Sequence, residues 1–245
     1  MNRTLLIAAL VILAEVAPTA PANAGLLLTA EDAGVQATKI SNTTTLTFNS
    51  LTPGNYTSLS TSIGTITSPG LNIHTADVYG GAGGTGKYAA IGAESATTSA
   101  TLTLLSPQSY FGFWWSAADA MNKIQFLSNG VEVGSFDPTS ALGSLDSTYY
   151  GNPNMSGNSG EKYAYLNVFG TNGTTFDQVV FTNLNTGSGF ESDNWSVRAA
   201  AVDPPYSGAP INGGITAVPE PSSIILTAIG ALGMVGLVRQ KRKAS

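Results

Sequence analysis

Three groupings of residues have the types and spacing that chemistry needs. The first is Glu191-Ser192-Asp193-Asn194. Glu191, Asp193 and Asn194 put three oxygen-bearing side chains within four residues, just before the last expected strand, and so form a candidate structural calcium site. Calcium takes six to eight oxygens, so the segment needs partners, and Glu31 and Asp32 are the candidates. Asx-turn hydrogen bonding is the other use of the same side chains.

The second grouping is Tyr110-Phe111-Gly112-Phe113-Trp114-Trp115. On a strand, alternation sends Phe111, Phe113 and Trp115 to one face and Tyr110 and Trp114 to the other. An exposed flat ring suits sugar stacking, so Tyr110 and Trp114 are the glycan-contact candidates. Core or second-sheet packing is the competing use. The third grouping is a set of acids, Asp119, Glu161 and Asp177. Two of them facing across a cleft would suit glycoside hydrolysis, and each also reads as a solvated turn or strand-end residue.

Two further patterns fail on their neighbours. Gly81 to Gly86 satisfies the Gly-x-Gly-x-x-Gly spacing, and Gly81, Gly86 and Lys87 nearly match a phosphate loop. The phosphate loop needs Ser or Thr after its lysine, and Tyr88 stands there. The dinucleotide fingerprint needs a helix next and an acid about 20 residues on, and the residues after Lys87 read as strand. His74 is the only histidine, so a histidine zinc cluster is excluded. A Ser-His-Asp site would have to use it, and no nucleophile-elbow motif accompanies it.

The elements that must position these groups are strands. Of 245 residues, 42% are hydrophobic and only 10% charged, and Ser, Thr, Asn and Gly are abundant. This composition suits short strands with polar turns. Expected strands are Thr44–Phe48, Lys87–Ile91, Ala100–Leu105, Tyr110–Trp115, Lys123–Leu127 and Val131–Phe136. Lys162–Phe169, Phe176–Thr182 and Trp195–Val202 complete the set. Asn129-Gly130 is a type I′ hairpin signal. The fold class is therefore all-β, a single β-sandwich of jelly-roll type over residues 25–202, with a flexible linker over 203–217. With no cysteine, disulfides and thiolate chemistry are excluded, and core burial must supply the stability. From Gly25 to Val218 there are 5 basic and 13 acidic residues, a net charge of −8. A body of that sign repels phosphate backbones, so no nucleic-acid partner is expected.

The two ends carry a different logic. Met1-Asn2-Arg3, an apolar run from Thr4 to Ala14, and Ala22-Asn23-Ala24 read as a signal peptide over 1–24, cut by signal peptidase before Gly25. At the other end stand Pro219-Glu220-Pro221, an apolar run from Ile224 to Val238, and the basic residues Arg239, Lys241, Arg242 and Lys243. Fifteen helical residues span only about 22 Å against a hydrocarbon core of about 30 Å. Pro221, Ser222 and Ser223 entering the interface and Arg239 snorkelling would complete a short transmembrane helix over 222–238. The basic cluster then stays cytoplasmic. Two prolines keep Pro219-Glu220-Pro221 extended and open to a protease.

This tail, over 218–245, resembles the PEP-CTERM sorting signal of Gram-negative bacteria. The resemblance implies recognition by exosortase, transient anchoring in the inner membrane, and transfer to the cell surface or extracellular polysaccharide matrix. The body resembles an exosortase-dependent surface protein family of unknown function, through Tyr79–Tyr88, Tyr110–Ser116, Tyr150–Asn154 and Gly189–Asn194. These features together predict a non-catalytic exported protein that contacts polysaccharide. The competing expectation is an extracellular hydrolase such as a glycosidase.

Overall fold

Period-two alternation of apolar and polar residues builds the architecture, and the computed structural model describes it for residues 25–212 and 214–217. The expected signal peptide (1–24) and the expected sorting tail (218–245), with Pro219, Glu220, Pro221 and the basic cluster, lie outside the described residues.

The first half of the chain forms β1 (Gly25–Ala30), β2 (Thr44–Leu46), β3 (Gly54–Ser60), β4 (Gly64–Thr75), β5 (Lys87–Gly92), β6 (Ser99–Gln108) and β7 (Tyr110–Ala118). The second half forms β8 (Asn122–Ser128), β9 (Val131–Phe136), β10 (Lys162–Thr171), β11 (Phe176–Asn183), β12 (Gly189–Arg198), β13 (Ala209–Pro210) and β14 (Thr216–Ala217). A short helix, α1 (Pro138–Leu142), comes after β9. Asp137 caps it by accepting the Ser140 N–H at 2.8 Å, and Pro138 opens it, as a first helical turn favours.

All pairings are antiparallel, in the order β13-β1-β10-β7-β12-β5-β4-β6-β11-β8-β9-β14. The sheet curls until its halves face one another. Phe111 on β7 meets Phe126 on β8 at 6.0 Å and Phe181 on β11 at 6.2 Å, ring to ring. Phe181 in turn stacks on Trp195 of β12 at 4.3 Å. The two ends of the curl approach closely, since a Cβ on Gly134 of β9 would stand 2.9 Å from Leu26 Cδ1 on β1. The all-β class expected from the sequence is what the chain adopts, a curled antiparallel sheet around one aromatic core.

Most expected strands are present, and the Asn129-Gly130 hairpin has the backbone a type I′ turn requires. Both residues have positive φ, 50° and 78°, between strands in the register Ser128↔Val131. β1, β3 and β4 lie outside the expected set. β3 and β4 are rich in Ser and Thr, and β4 contains Pro69, so their pattern reads as loop. The last strand begins at Gly189 rather than at Trp195, which places Glu191, Asp193 and Asn194 inside it. The expected linker also differs. Ala209 and Pro210 pair with β1, Ile211 is buried, and β14 pairs with β9. Part of the segment 203–217 is thus docked on the domain.

Candidate functional site

β7 and β12 are neighbours, and a bulge in β12 decides what each face of the pair presents. Asp193 pairs with Trp114 and Ser196 with Gly112, so β12 carries one extra residue there. Asn194, at φ 51°, lies in that interval, and asparagine tolerates the left-handed region better than most residues. The bulge shifts the alternation. Phe190 faces the core before it, and Trp195 and Val197 face the core after it. Glu191 and Asp193 are left on the opposite face.

That opposite face is covered rather than open. Tyr110 and Trp114 are fully buried, as are Phe111, Phe113 and Trp115 on the inner face. The expected glycan contacts are therefore corrected: neither Tyr110 nor Trp114 is available to a sugar. The reason is a layer of loops that alternation alone does not reveal. Trp114 packs against Tyr163 at 6.1 Å with Ala82 beside them. Tyr110 Oη donates to Asn167 Oδ1 at 2.7 Å and lies 2.7 Å from Thr38 Oγ1. Tyr163 Oη donates to the Val78 carbonyl at 2.8 Å.

The glycine-rich segment is one of those loops. The backbone N–H of Ala82 donates to Asp193 Oδ2 at 2.9 Å. Gly86, at φ 80°, lies against Asn49, whose Oδ1 accepts the N–H of Lys87 at 2.7 Å. A side chain at 86 would meet both the strained φ and Asn49. The glycines serve close packing here, and the N–H of Ala82 is taken by a protein carboxylate.

The calcium candidates do not converge. Glu191 points toward Glu94. Asp193 accepts the N–H groups of Ala82 and Asn194, at 2.9 and 2.6 Å. Asn194 donates its side-chain amide to the Gln36 carbonyl at 2.7 Å. Glu31 accepts from Asn167 at 3.0 Å and pairs with Lys39 at 3.1 Å, and exposed Asp32 shares the same lysine. Among the described residues, no three His, Cys, Asp or Glu are placed to hold one metal ion. In this arrangement Glu191, Asp193, Asn194 and Glu31 each face a different partner.

The hydrolytic candidates divide. His74 sits at the end of β4, its Nδ1 2.8 Å from the Thr75 carbonyl and 3.5 Å from Asp77, with its ring against Tyr88. Asp177, on β11, accepts the Asn129 N–H with both oxygens and so braces the β8–β9 turn. Asp119 and Glu161, by contrast, meet in one recess of about 320 Å³, together with Glu94 and Glu191. Glu94 is a member that sequence reading does not single out. Its only local cue is an acid two residues beyond a strand end.

Electrostatics in this region favour bound protons. Burial, then the nearby carboxyls of Glu94 and Glu161, raise Glu191 well above the ordinary glutamate value. Burial also pushes Asp193 up to about 7, against the pull of its bonds from the Ala82 and Asn194 N–H groups. Two carboxyls that approach as Glu94 and Glu191 do are acceptors only, unless one of them carries a proton.

The fold and site thus define an antiparallel β domain with an aromatic core, a loop-covered outer face and a carboxyl-lined recess. No protein-family model matches the chain, and no curated protein matches it. Among the described residues, no helix is long and apolar enough to cross a membrane.

Proposed function

We propose that the chain is a non-catalytic protein of the bacterial cell surface or extracellular matrix, exported through its N-terminal signal and sorted by exosortase through its C-terminal tail. What supports this reading is the sequence of the two ends, a small-x-small triplet directly before Gly25 and a Pro-Glu-Pro motif ahead of an apolar run and a basic cluster. β1 begins at Gly25, directly after Ala22-Asn23-Ala24, and Gly25 donates its N–H to Thr174 Oγ1 at 2.9 Å. Cleavage before Gly25 would leave every pairing of β1 with β10 in place. The sorting motif starts two residues beyond β14.

The test is expression in a Gram-negative host that has an exosortase, then mass measurement of the surface fraction. The expected product begins at Gly25 and lacks the apolar tail. A product that keeps both ends, or stays in the cytoplasm, overturns the reading.

A second reading, an extracellular glycoside hydrolase, is favoured by one observation, the meeting of Asp119 and Glu161 with Glu191 in a single recess. A proton-holding Glu191 would act as general acid, opposite an ionised partner. Release of reducing ends from matrix polysaccharide, abolished in Glu191→Gln, would replace the first reading.

A further inference from the structure

The sheet order gathers the four carboxyls of the recess. β10, β7, β12 and β5 are adjacent and antiparallel, so the start of β10, the end of β7, the start of β12 and the end of β5 lie side by side. Glu161 immediately precedes β10, and Asp119 immediately succeeds β7. Glu191 is the third residue of β12, and Glu94 stands two residues past β5. Four sequence-distant acids thus share one end of four neighbouring strands.

Two carboxyls of the recess have neutral donors: Asp119 Oδ1 accepts the Met121 N–H at 2.6 Å, and Glu161 accepts from the side-chain amide of Asn158. Among the described residues, no Lys, Arg or His lines the recess. Lys162, next to Glu161 in the chain, turns away and donates to the carbonyls of Leu142 and Leu145 at 2.7 and 2.6 Å. Glu191 is 3% exposed, and its Oε2 is buried with no hydrogen-bond partner. Glu94 Oε2 is in the same condition. A buried acceptor without a donor is costly, so the site favours a ligand that brings donors and positive charge. Glycine at 189 is part of the construction, because a Cβ there would overlap Glu191 Oε1.

We propose that this recess binds a ligand bearing a primary ammonium group, of the size of one amino-sugar residue. An ammonium offers three N–H donors and one positive charge, which suits the two unpartnered oxygens of Glu191 and Glu94, with Asp119 and Glu161 lining the same recess. A divalent metal is the poorer match, since no three of these acids are placed around one point. The volume of about 320 Å³ lies at the small end of the range for ligand pockets. Tyr79 lines the recess and is 47% exposed, leaving an aromatic ring for the sugar or its cation. The assignment goes beyond the export reading and fails independently of it, because binding is read on purified protein and sorting is read in cells.

The experiment is isothermal titration of the full-length protein in detergent with glucosamine, glucose, N-acetylglucosamine and calcium chloride. Glucosamine is expected to bind at one site, at least tenfold tighter than either uncharged sugar. Glu191→Gln is nearly isosteric and is expected to weaken glucosamine at least tenfold while keeping the wild-type near-ultraviolet circular dichroism. Asp119→Asn, at a half-buried position, gives a second variant with the same expected loss should Glu191→Gln misfold. Equal binding of glucose and glucosamine overturns the proposal, as does unchanged binding in both variants. Displacement of glucosamine by calcium at lower concentration also overturns it, by making the recess a metal site.

Discussion

Ala82 donates its backbone N–H to the buried carboxylate of Asp193 at 2.9 Å, across 111 residues of chain. This bond ties the glycine-rich loop to the bulged strand β12. Asp193 also accepts the N–H of Asn194, so one side chain satisfies two backbone donors. Asp193→Ala leaves both unpaired at a buried position and should cost about 1–3 kcal/mol. Asp193→Asn keeps one acceptor and should cost less. Urea denaturation of the two variants checks the order, and a wild-type midpoint for Asp193→Ala would show that the loop does not depend on this bond.

Acidic pH should stabilise the domain through Asp193 and Glu191. Both carboxyls hold protons more tightly folded than unfolded, whose ordinary values are 3.8 and 4.5. Their contribution is fully present below those values. It declines as pH rises, and for Asp193 it is gone once pH passes about 7. Each group adds a slope of at most about 1.4 kcal/mol per pH unit within its window. Urea midpoints measured from pH 4 to 8 should fall, and Glu191→Gln should flatten the fall. An equally steep fall in that variant would remove Glu191 from the account.

Trp114 and Tyr110 should behave as interior residues. Trp114→Ala empties a site beside Tyr163 and Ala82 and should cost about 3–5 kcal/mol. Tyr110→Phe removes the hydroxyl that bonds Asn167 and Thr38, and should cost about 1–2 kcal/mol. Thermal denaturation reads both. A Trp114→Ala protein with unchanged stability would mean that the loop layer does not close over β7.

Gly130 separates conformational cost from steric cost. Its φ is 78°, and an added Cβ would meet nothing within 4 Å. Gly130→Ala should therefore lose only the preference of glycine for positive φ, about 1 kcal/mol. Gly64→Ala should lose more, since its Cβ would overlap the Thr103 carbonyl of the paired strand. Chemical denaturation of the two variants should give that order, and a reversed order would contradict the register of β4 against β6.

What the sequence determined by itself is what local chemistry determines. Alternation marked β5 to β12 apart from the start of β12, and it sorted Phe111, Phe113 and Trp115 from Tyr110 and Trp114 because strand side chains alternate regardless of context. Asn129-Gly130 declared its turn because few other pairs accept positive φ twice. Tertiary structure alone decided which faces are covered. Tyr110 and Trp114 are interior because the loops around Thr38, Val78 and Ala82 close over them, and no periodicity in β7 encodes a distant loop. The recess is the clearest case. Glu94, Asp119, Glu161 and Glu191 are separated by 25 to 42 residues in turn, and they meet only because β10, β7, β12 and β5 pair in an order that sequence spacing does not specify. Strand pairing is set by the burial of whole faces, a property of the assembled sheet rather than of any one segment.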